Sequence, residues 1–182
     1  MAKHMRNTFY LSPLVVTLIA MGSSVSAQAN TSACLDQFYR STPPVVQKES
    51  LEKNSYALCF NGFNALYSGV SKTSLWVAEA LTPERLSQKI QREDSFHEET
   101  RVDRQHRALL SDYRGSGYDR GHLAPNADMP NKAAQYDSFS LANMVPQTPQ
   151  NNQQVWRELE EATRALVTKQ KQDVYVLSLI HI

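Results

Sequence analysis

Cysteine is scarce in this sequence, with two among 182 residues, Cys34 and Cys59. Two thiols cannot by themselves build a structural zinc site of the usual four-ligand kind. An even count leaves one disulfide, with two buried free thiols as the alternative. A charge excess is also missing, since 19 Lys and Arg stand against 18 Asp and Glu. So balanced a chain lacks the global basic character of proteins that coat nucleic acid electrostatically. Any polyanion would have to be met by a local patch or through a metal ion. Long hydrophobic runs are nearly absent. The one candidate, Phe9–Ala20, is broken by Ser12, Pro13 and Thr17, and it falls short of the roughly 20 residues a bilayer requires. No internal repeat and no low-complexity tract is present.

What that N-terminal run does resemble is a secretory leader. Lys3 and Arg6 precede it, and Val25-Ser26-Ala27 offers small residues at a cleavage site, with Ala29 as a second. The expectation is cleavage near Ala27, a periplasmic or secreted protein, and no stable membrane association afterwards. Removing residues 1–27 takes two basic residues and no acidic ones, so acids then outnumber bases by one. An oxidising compartment favours a Cys34–Cys59 bridge. Closing a loop of about 25 residues would add roughly 3–4 kcal/mol in the chain-entropy model.

Along the rest of the chain, residues 28–50 read as an irregular lead-in. Residues 56–69 read as a hairpin around Asn61-Gly62, with Tyr56, Leu58 and Phe60 alternating. Residues 74–81 form an apolar strand. Thr82-Pro83 starts a short helix that ends near Gln91. Residues 92–116 are charged and read as a solvated segment. Strands are expected over 118–124 and 138–145. In the second of these, Phe139, Leu141 and Val145 share a face with Asn143, either a site residue or a buried polar bridge. The clearest helix is 151–172, with Val155, Trp156, Leu159, Thr163, Leu166 and Val167 on one face and Trp156 in the core. Residues 174–179 begin like a strand.

The stretch GYDRGHLAPNADMP, residues 117–130, is unlike an ordinary loop or core strand. It implies a strand ending at His122, then a strand carrying Asn143, then a helix starting near Asn152. Such an order supplies what a divalent-metal nuclease needs. Histidine is a general base near neutral pKa. An amide oxygen is a hard ligand for a cation that keeps most of its water. Arginine supports the extra negative charge on a phosphate in the transition state.

DRGH at 119–122 followed by LAP at 123–125 resembles the signature of the sugar-non-specific DNA/RNA endonucleases, the ββα-metal nucleases. The blocks YRGSGYDRGHLAP (113–125), LANMVPQ (141–147) and NNQQVW (151–156) occur in that family's order. LCFNGF (58–63) and LYSGVSKTSLWVAEAL (66–81) are similar to the upstream strands of its exported bacterial members. The resemblance implies an α+β fold, a mixed and mainly antiparallel sheet flanked by helices, with a ββα-metal (His-Me finger) motif. It implies that His122 is the general base and that Asn152 is the protein ligand of Mg²⁺, or of Mn²⁺ or another divalent cation. It implies that Glu160 holds a water on that cation and that Arg120 supports the phosphate or the shape of the site. Asn143 matches a site asparagine. Arg92 matches an arginine that stabilises the transition state, with Arg85 or Arg101 as alternatives. Asp119 is structural on this reading.

The implied reaction is hydrolysis of phosphodiesters in DNA and RNA, leaving 5′-phosphate ends, with a protein inhibitor admitted as a partner. The alternatives are an inactive, truncated chain that binds nucleic acid or a protein, and an exported phosphodiesterase for other phosphate esters. The family domain is expected over 28–176, incomplete at its C-terminus. Residues 177–182, Leu-Ser-Leu-Ile-His-Ile, are expected to be a non-native tail, since a transposon-end adapter translates to the same string.

Overall fold

The computed structural model describes residues 34–180. The leader expected over 1–27 lies outside them, as do His181 and Ile182. Strands β1 (Ser55–Cys59), β2 (Asn64–Ser68), β3 (Thr73–Leu81) and β6 (Val174–Leu179) form an antiparallel sheet in the order β1-β2-β3-β6. β4 (Asp119–His122) and β5 (Met144–Gln147) form a separate antiparallel pair. The helices are α1 (Glu49–Glu52), α2 (Pro83–Ser87), α3 (Leu110–Tyr113), α4 (Lys132–Ser138) and α5 (Arg157–Gln170). The architecture is α+β.

The hairpin sits where Asn61-Gly62 placed it, with Cys59 opposite Asn64. β3 is largely apolar from Leu75 to Leu81, apart from buried Glu79, because both of its faces are covered. Val77 joins Phe63, Tyr67, Leu123, Met129 and Val145 in the central core. Trp76 and Ala78 pack with Phe38 and Leu75 on the opposite face. A disulfide joins Cys34 to Cys59, so the lead-in is fastened to the end of β1. The Asn64 amide donates to the Cys34 carbonyl beside it.

β4, β5 and the following helix build the ββα unit. His122 pairs with Met144 and Gly121 with Val145. Gly121 is required by close approach, because a Cβ there would lie 2.7 Å from Gln147 Cγ. The helix opens with a π-helical turn over Asn151–Trp156 before α5. A π-turn is wider than an α-turn and is frequent at functional sites.

Several local expectations need correction. α2 begins as expected, Thr82 Oγ1 accepting from the Arg85 amide at 3.1 Å, but it ends at Ser87. Residues 88–91 hold one apolar side chain, Ile90, and so have no stripe to bury. The strand expected over 138–145 starts only at Met144, preceded by α4 and a 3-10 turn over Leu141–Asn143. Ser140 and Asn143 side chains bond to local backbone there and compete with a ladder. The segment 92–116 is not wholly solvated. Val102 and Ala108 are buried, and buried Glu99 is gripped by Arg101 at 2.8 Å.

The apolar face of the last helix is only partly covered by the described residues. Val167 is buried and Trp156 half-buried, but Val155, Leu159 and Leu166 are exposed. Tyr175, Leu177 and Leu179 of β6 are exposed as well. In β6, Leu177–Leu179 pair with Trp76–Ala78, and Ser178 Oγ donates to the Leu123 carbonyl at 2.9 Å. No helix among the described residues is long and apolar enough to cross a membrane.

Candidate active site

One cleft of about 820 Å³ brings together Arg92, Arg120, His122, Asn152 and Glu160. These residues come from the segment after α2, from β4, from the π-turn and from α5. The segment after α2 is fixed by a two-way backbone exchange. His97 N–H donates to the Phe139 carbonyl, and Leu141 N–H donates to the His97 carbonyl.

That exchange sets Phe96 against the catalytic strand. Phe96 and Phe139 flank the His122 ring, their centroids 6.0 and 5.2 Å from its own. His122 Nε2 is buried and has no hydrogen-bond partner among the described residues. Burial pushes the imidazole pKa down from 6.5 to about 3. The positive charge of Arg92 adds to the fall and Asp94 opposes it. The ring is therefore neutral at pH 7, with a nitrogen free to take a proton. A buried unpaired polar atom such as Nε2 costs about 1–3 kcal/mol.

Arg120 stacks on Phe96, its guanidinium carbon 3.8 Å from the ring centroid. It makes no ion pair among the described residues, so its donors face the cleft unspent. Arg92 lies over Phe139 at 5.3 Å and is held by Asp94 at 2.6 Å. The alternatives Arg85 and Arg101 do not line the cleft. Arg85 is buried against Glu79 at 3.0 Å and donates to the Asp128 carbonyl. Arg101 is taken by Glu99 and the Cys59 carbonyl.

Asn152 is oriented by Asp119, whose Oδ2 accepts from Asn152 Nδ2 at 3.0 Å and from Gln153 Nε2 at 2.9 Å. Those two bonds pull the Asp119 carboxyl below its ordinary range. With its NH₂ side tied back, the Asn152 amide has its oxygen left for the cleft. Glu160 lies two turns further along, 3.9 Å from Arg164. Burial pushes its carboxyl up from 4.5 to about 7, against the pull of Arg164 and helped by Asp128. No cluster of three or more His, Cys, Asp or Glu suited to a metal occurs among the described residues. The donors present are one amide oxygen and one carboxylate. They suit a hard, largely hydrated cation of the Mg²⁺ type, which takes few protein ligands.

Asn143 is not brought into the cleft. Its side chain is fully buried, with Oδ1 accepting from Ala124 N–H and Nδ2 donating to the Ala124 and Ser138 carbonyls, all at 2.9 Å. It is the buried polar bridge that holds the chain after β4 to the turn before β5. The sequence reading missed the aromatic walls Phe96 and Phe139. It also missed Lys89 and Arg157 at the cleft rim. A third omission is the ion-pair set beneath Glu160, in which Arg85 meets buried Glu79 and Arg164 meets buried Asp128. Burial and the neighbouring Asp128 hold Glu79 well above the usual carboxylate range. One signal was available, since Arg164 lies four residues after Glu160 on the helix.

A sequence model of the DNA/RNA non-specific endonuclease family matches residues 41–181. The chain belongs to that family. It is 43% identical over 136 residues to human mitochondrial endonuclease G, covering 74% of this chain and 42% of the relative. It is 38% identical over 128 residues to a nuclease of Nostoc sp. (strain PCC 7120 / SAG 25.82 / UTEX 2576), covering 69% of this chain and 43% of that one. Among solved structures, endonuclease G in complex with its inhibitor EndoGI superposes with a TM-score of 0.62 at 28% identity. That match covers 75% of this chain and 59% of the other. The chain thus spans about two-fifths of the length of the curated relatives it matches.

Proposed function

We propose that this chain is a metal-dependent endonuclease that hydrolyses phosphodiester bonds of DNA and RNA. One observation carries the reading. A neutral His122 lines a cleft shared with two arginines, an asparagine oriented by Asp119 and a carboxyl whose pKa burial raises to about 7.

In this mechanism a phosphodiester enters between Arg92 and Arg120. Its negative charge offsets the two cations that depress the His122 pKa, so the base strengthens when substrate binds. The His122 imidazole takes a proton from a water, and the water oxygen attacks phosphorus. Arg92 and Arg120 donate to the phosphoryl oxygens as charge builds on them. The P–O3′ bond breaks, leaving a 5′-phosphate and a 3′-hydroxyl. Mg²⁺, Mn²⁺ or another divalent cation would be held by the Asn152 oxygen with Glu160 close by, and when bound it supplies Lewis-acid stabilisation of the phosphoryl and leaving-group charge. Contacts that grip phosphate carry no sequence information, which supports low base and sugar specificity.

The leader over 1–27 and the cystine support an exported protein, periplasmic or secreted, cleaved near Ala27. A protein inhibitor that closes the cleft is a partner consistent with it. The exposed apolar side chains of α5 and β6 favour a second reading, a nuclease-fold chain that binds nucleic acid or a protein partner without turnover.

Plasmid nicking by residues 28–182 in Mg²⁺, with EDTA and His122→Ala controls, separates the two. Cleavage that needs metal and is lost in His122→Ala is expected. Retained DNA binding without nicking, beside an active full-length relative, selects the second reading. Competition by a non-nucleotide phosphodiester, outweighing that by oligonucleotide, would instead identify a phosphodiesterase for other esters.

A further inference from the structure

A second depression of about 540 Å³ adjoins the catalytic cleft and shares Arg92, Arg120 and Asn152 with it. Its far wall is Tyr113, Arg114 and Tyr118. We propose that this depression binds the nucleotide next to the scissile phosphate, with Arg114 on the flanking phosphate and the Tyr118 ring under the base. The proposal rests on the nuclease reading of the cleft.

Position along the strand is the first argument. Arg120 and His122 share one face of β4, and Tyr118 immediately precedes that strand. Tyr118 lines the depression together with Arg120 and Asn152.

Availability is the second. Tyr118 is 52% exposed, and no hydrogen bond engages its hydroxyl among the described residues. Arg114 is exposed and makes no ion pair among the described residues. The acids nearby are already committed, Asp119 to Asn152 and Gln153, Asp94 to Arg92, and Asp112 to the Leu109 amide. Uncommitted charge in the depression is positive.

The third argument is that these two side chains stand on an ordered turn. The Arg114 amide donates to the Ser111 carbonyl at 3.2 Å, and Ser116 Oγ donates to the Tyr113 carbonyl at 2.9 Å. The Tyr118 amide donates to Ser116 Oγ at 3.1 Å. Gly115 and Gly117 carry the positive φ angles of 70° and 80° that the turn requires. A fixed turn that presents one free guanidinium and one free aromatic face matches how single strands are gripped, by charge on the backbone and stacking on the bases.

The test is binding, read by fluorescence anisotropy of a labelled single-stranded octanucleotide in EDTA, so that no turnover occurs. Tyr118→Ala is expected to weaken binding about tenfold, from the usual strength of base–aromatic stacking. Tyr118→Phe keeps the ring and should bind like wild type. With an abasic residue scanned along the octamer, one position should make Tyr118→Ala and wild type equal. Arg114→Ala should lower the slope of log affinity against log salt by about one phosphate's worth, and Arg114→Lys should restore it. Unchanged affinity and salt slope in Tyr118→Ala and Arg114→Ala, with thermal melts matching wild type, would overturn the proposal. Nicking by those same variants reads the nuclease assignment separately. Active variants with unaltered binding sink the subsite alone, while wild type that binds but never cleaves sinks the nuclease reading alone.

Discussion

Asp119 Oδ2 holds Asn152 Nδ2 at 3.0 Å and so decides which face of that amide meets the cleft. Without this bond the amide can rotate and offer its NH₂ group, which no cation will accept. Asp119→Ala should therefore raise the Mg²⁺ concentration for half-maximal activity by about 10–100-fold, the usual effect of losing a partner behind a metal ligand. A Mg²⁺ titration of nicking rate measures it. A drop in maximal rate with an unchanged Mg²⁺ midpoint would assign Asp119 to shaping the substrate site instead.

Gly121 sits between Arg120 and His122 with Gln147 Cγ 2.7 Å from where a Cβ would be. Gln147 is buried, so it has little room to withdraw. Gly121→Ala should destabilise the protein by about 1–3 kcal/mol, as overpacking does. It should also lower activity by tilting β4 against β5. Urea unfolding and nicking rate together test this, and a variant of wild-type stability and activity would show that β5 yields.

Much of the site was legible because its residues are close in sequence or set by period. His122 and Asn152 stand out at the end of one strand and the start of one helix, while Arg120 and Glu160 were assigned through the family resemblance. The Asn61-Gly62 turn and the Thr82-Pro83 start were legible for the same local reason. Asn143 was not resolved into a single role, because an asparagine that bridges buried backbone and one that faces substrate look alike in an alternating pattern. Its neighbours Ser138 and Ala124 decide it, and they come from two other segments. Phe96 was hidden for a related reason. A lone aromatic in a charged run shows no periodicity, and its place behind His122 depends on the backbone exchange between His97 and residues 139–141. The exposed Leu159 and Leu166 mark the opposite failure, where pattern alone implied a buried face.

The Cys34–Cys59 bridge spans 25 residues and fastens the lead-in to the end of β1. Arg101 Nη1 donates to the Cys59 carbonyl at 2.7 Å, and Asn64 holds the Cys34 carbonyl. Reduction, or the Cys34→Ser/Cys59→Ser pair, frees this loop in the unfolded chain and should remove about 3–4 kcal/mol. The active cleft draws no residue from the loop, so folded, reduced protein should keep its turnover. Denaturant midpoints with and without reductant, alongside nicking rates below the transition, check both halves.

Glu160 gives a pH signature that can be isolated. Its carboxyl titrates near 7 in the fold against an ordinary value of 4.5, because burial disfavours the charged form. A raised carboxylate pKa means the folded state binds the proton more tightly than the unfolded chain. The penalty for ionising Glu160 is absent below about pH 4.5, grows through the window up to 7, and is complete above it. His122 runs the other way, since its depressed pKa makes stability rise with pH up to 6.5. Comparing wild type with Glu160→Gln cancels the His122 contribution, because both proteins keep it. The stability of wild type relative to Glu160→Gln should fall by on the order of 3 kcal/mol between pH 4.5 and 7 without metal. Saturating Mg²⁺ should flatten that fall, since a cation beside a carboxylate favours its ionised form. A difference that stays constant with pH, with and without Mg²⁺, would show that Glu160 is solvated and does not serve the cation site.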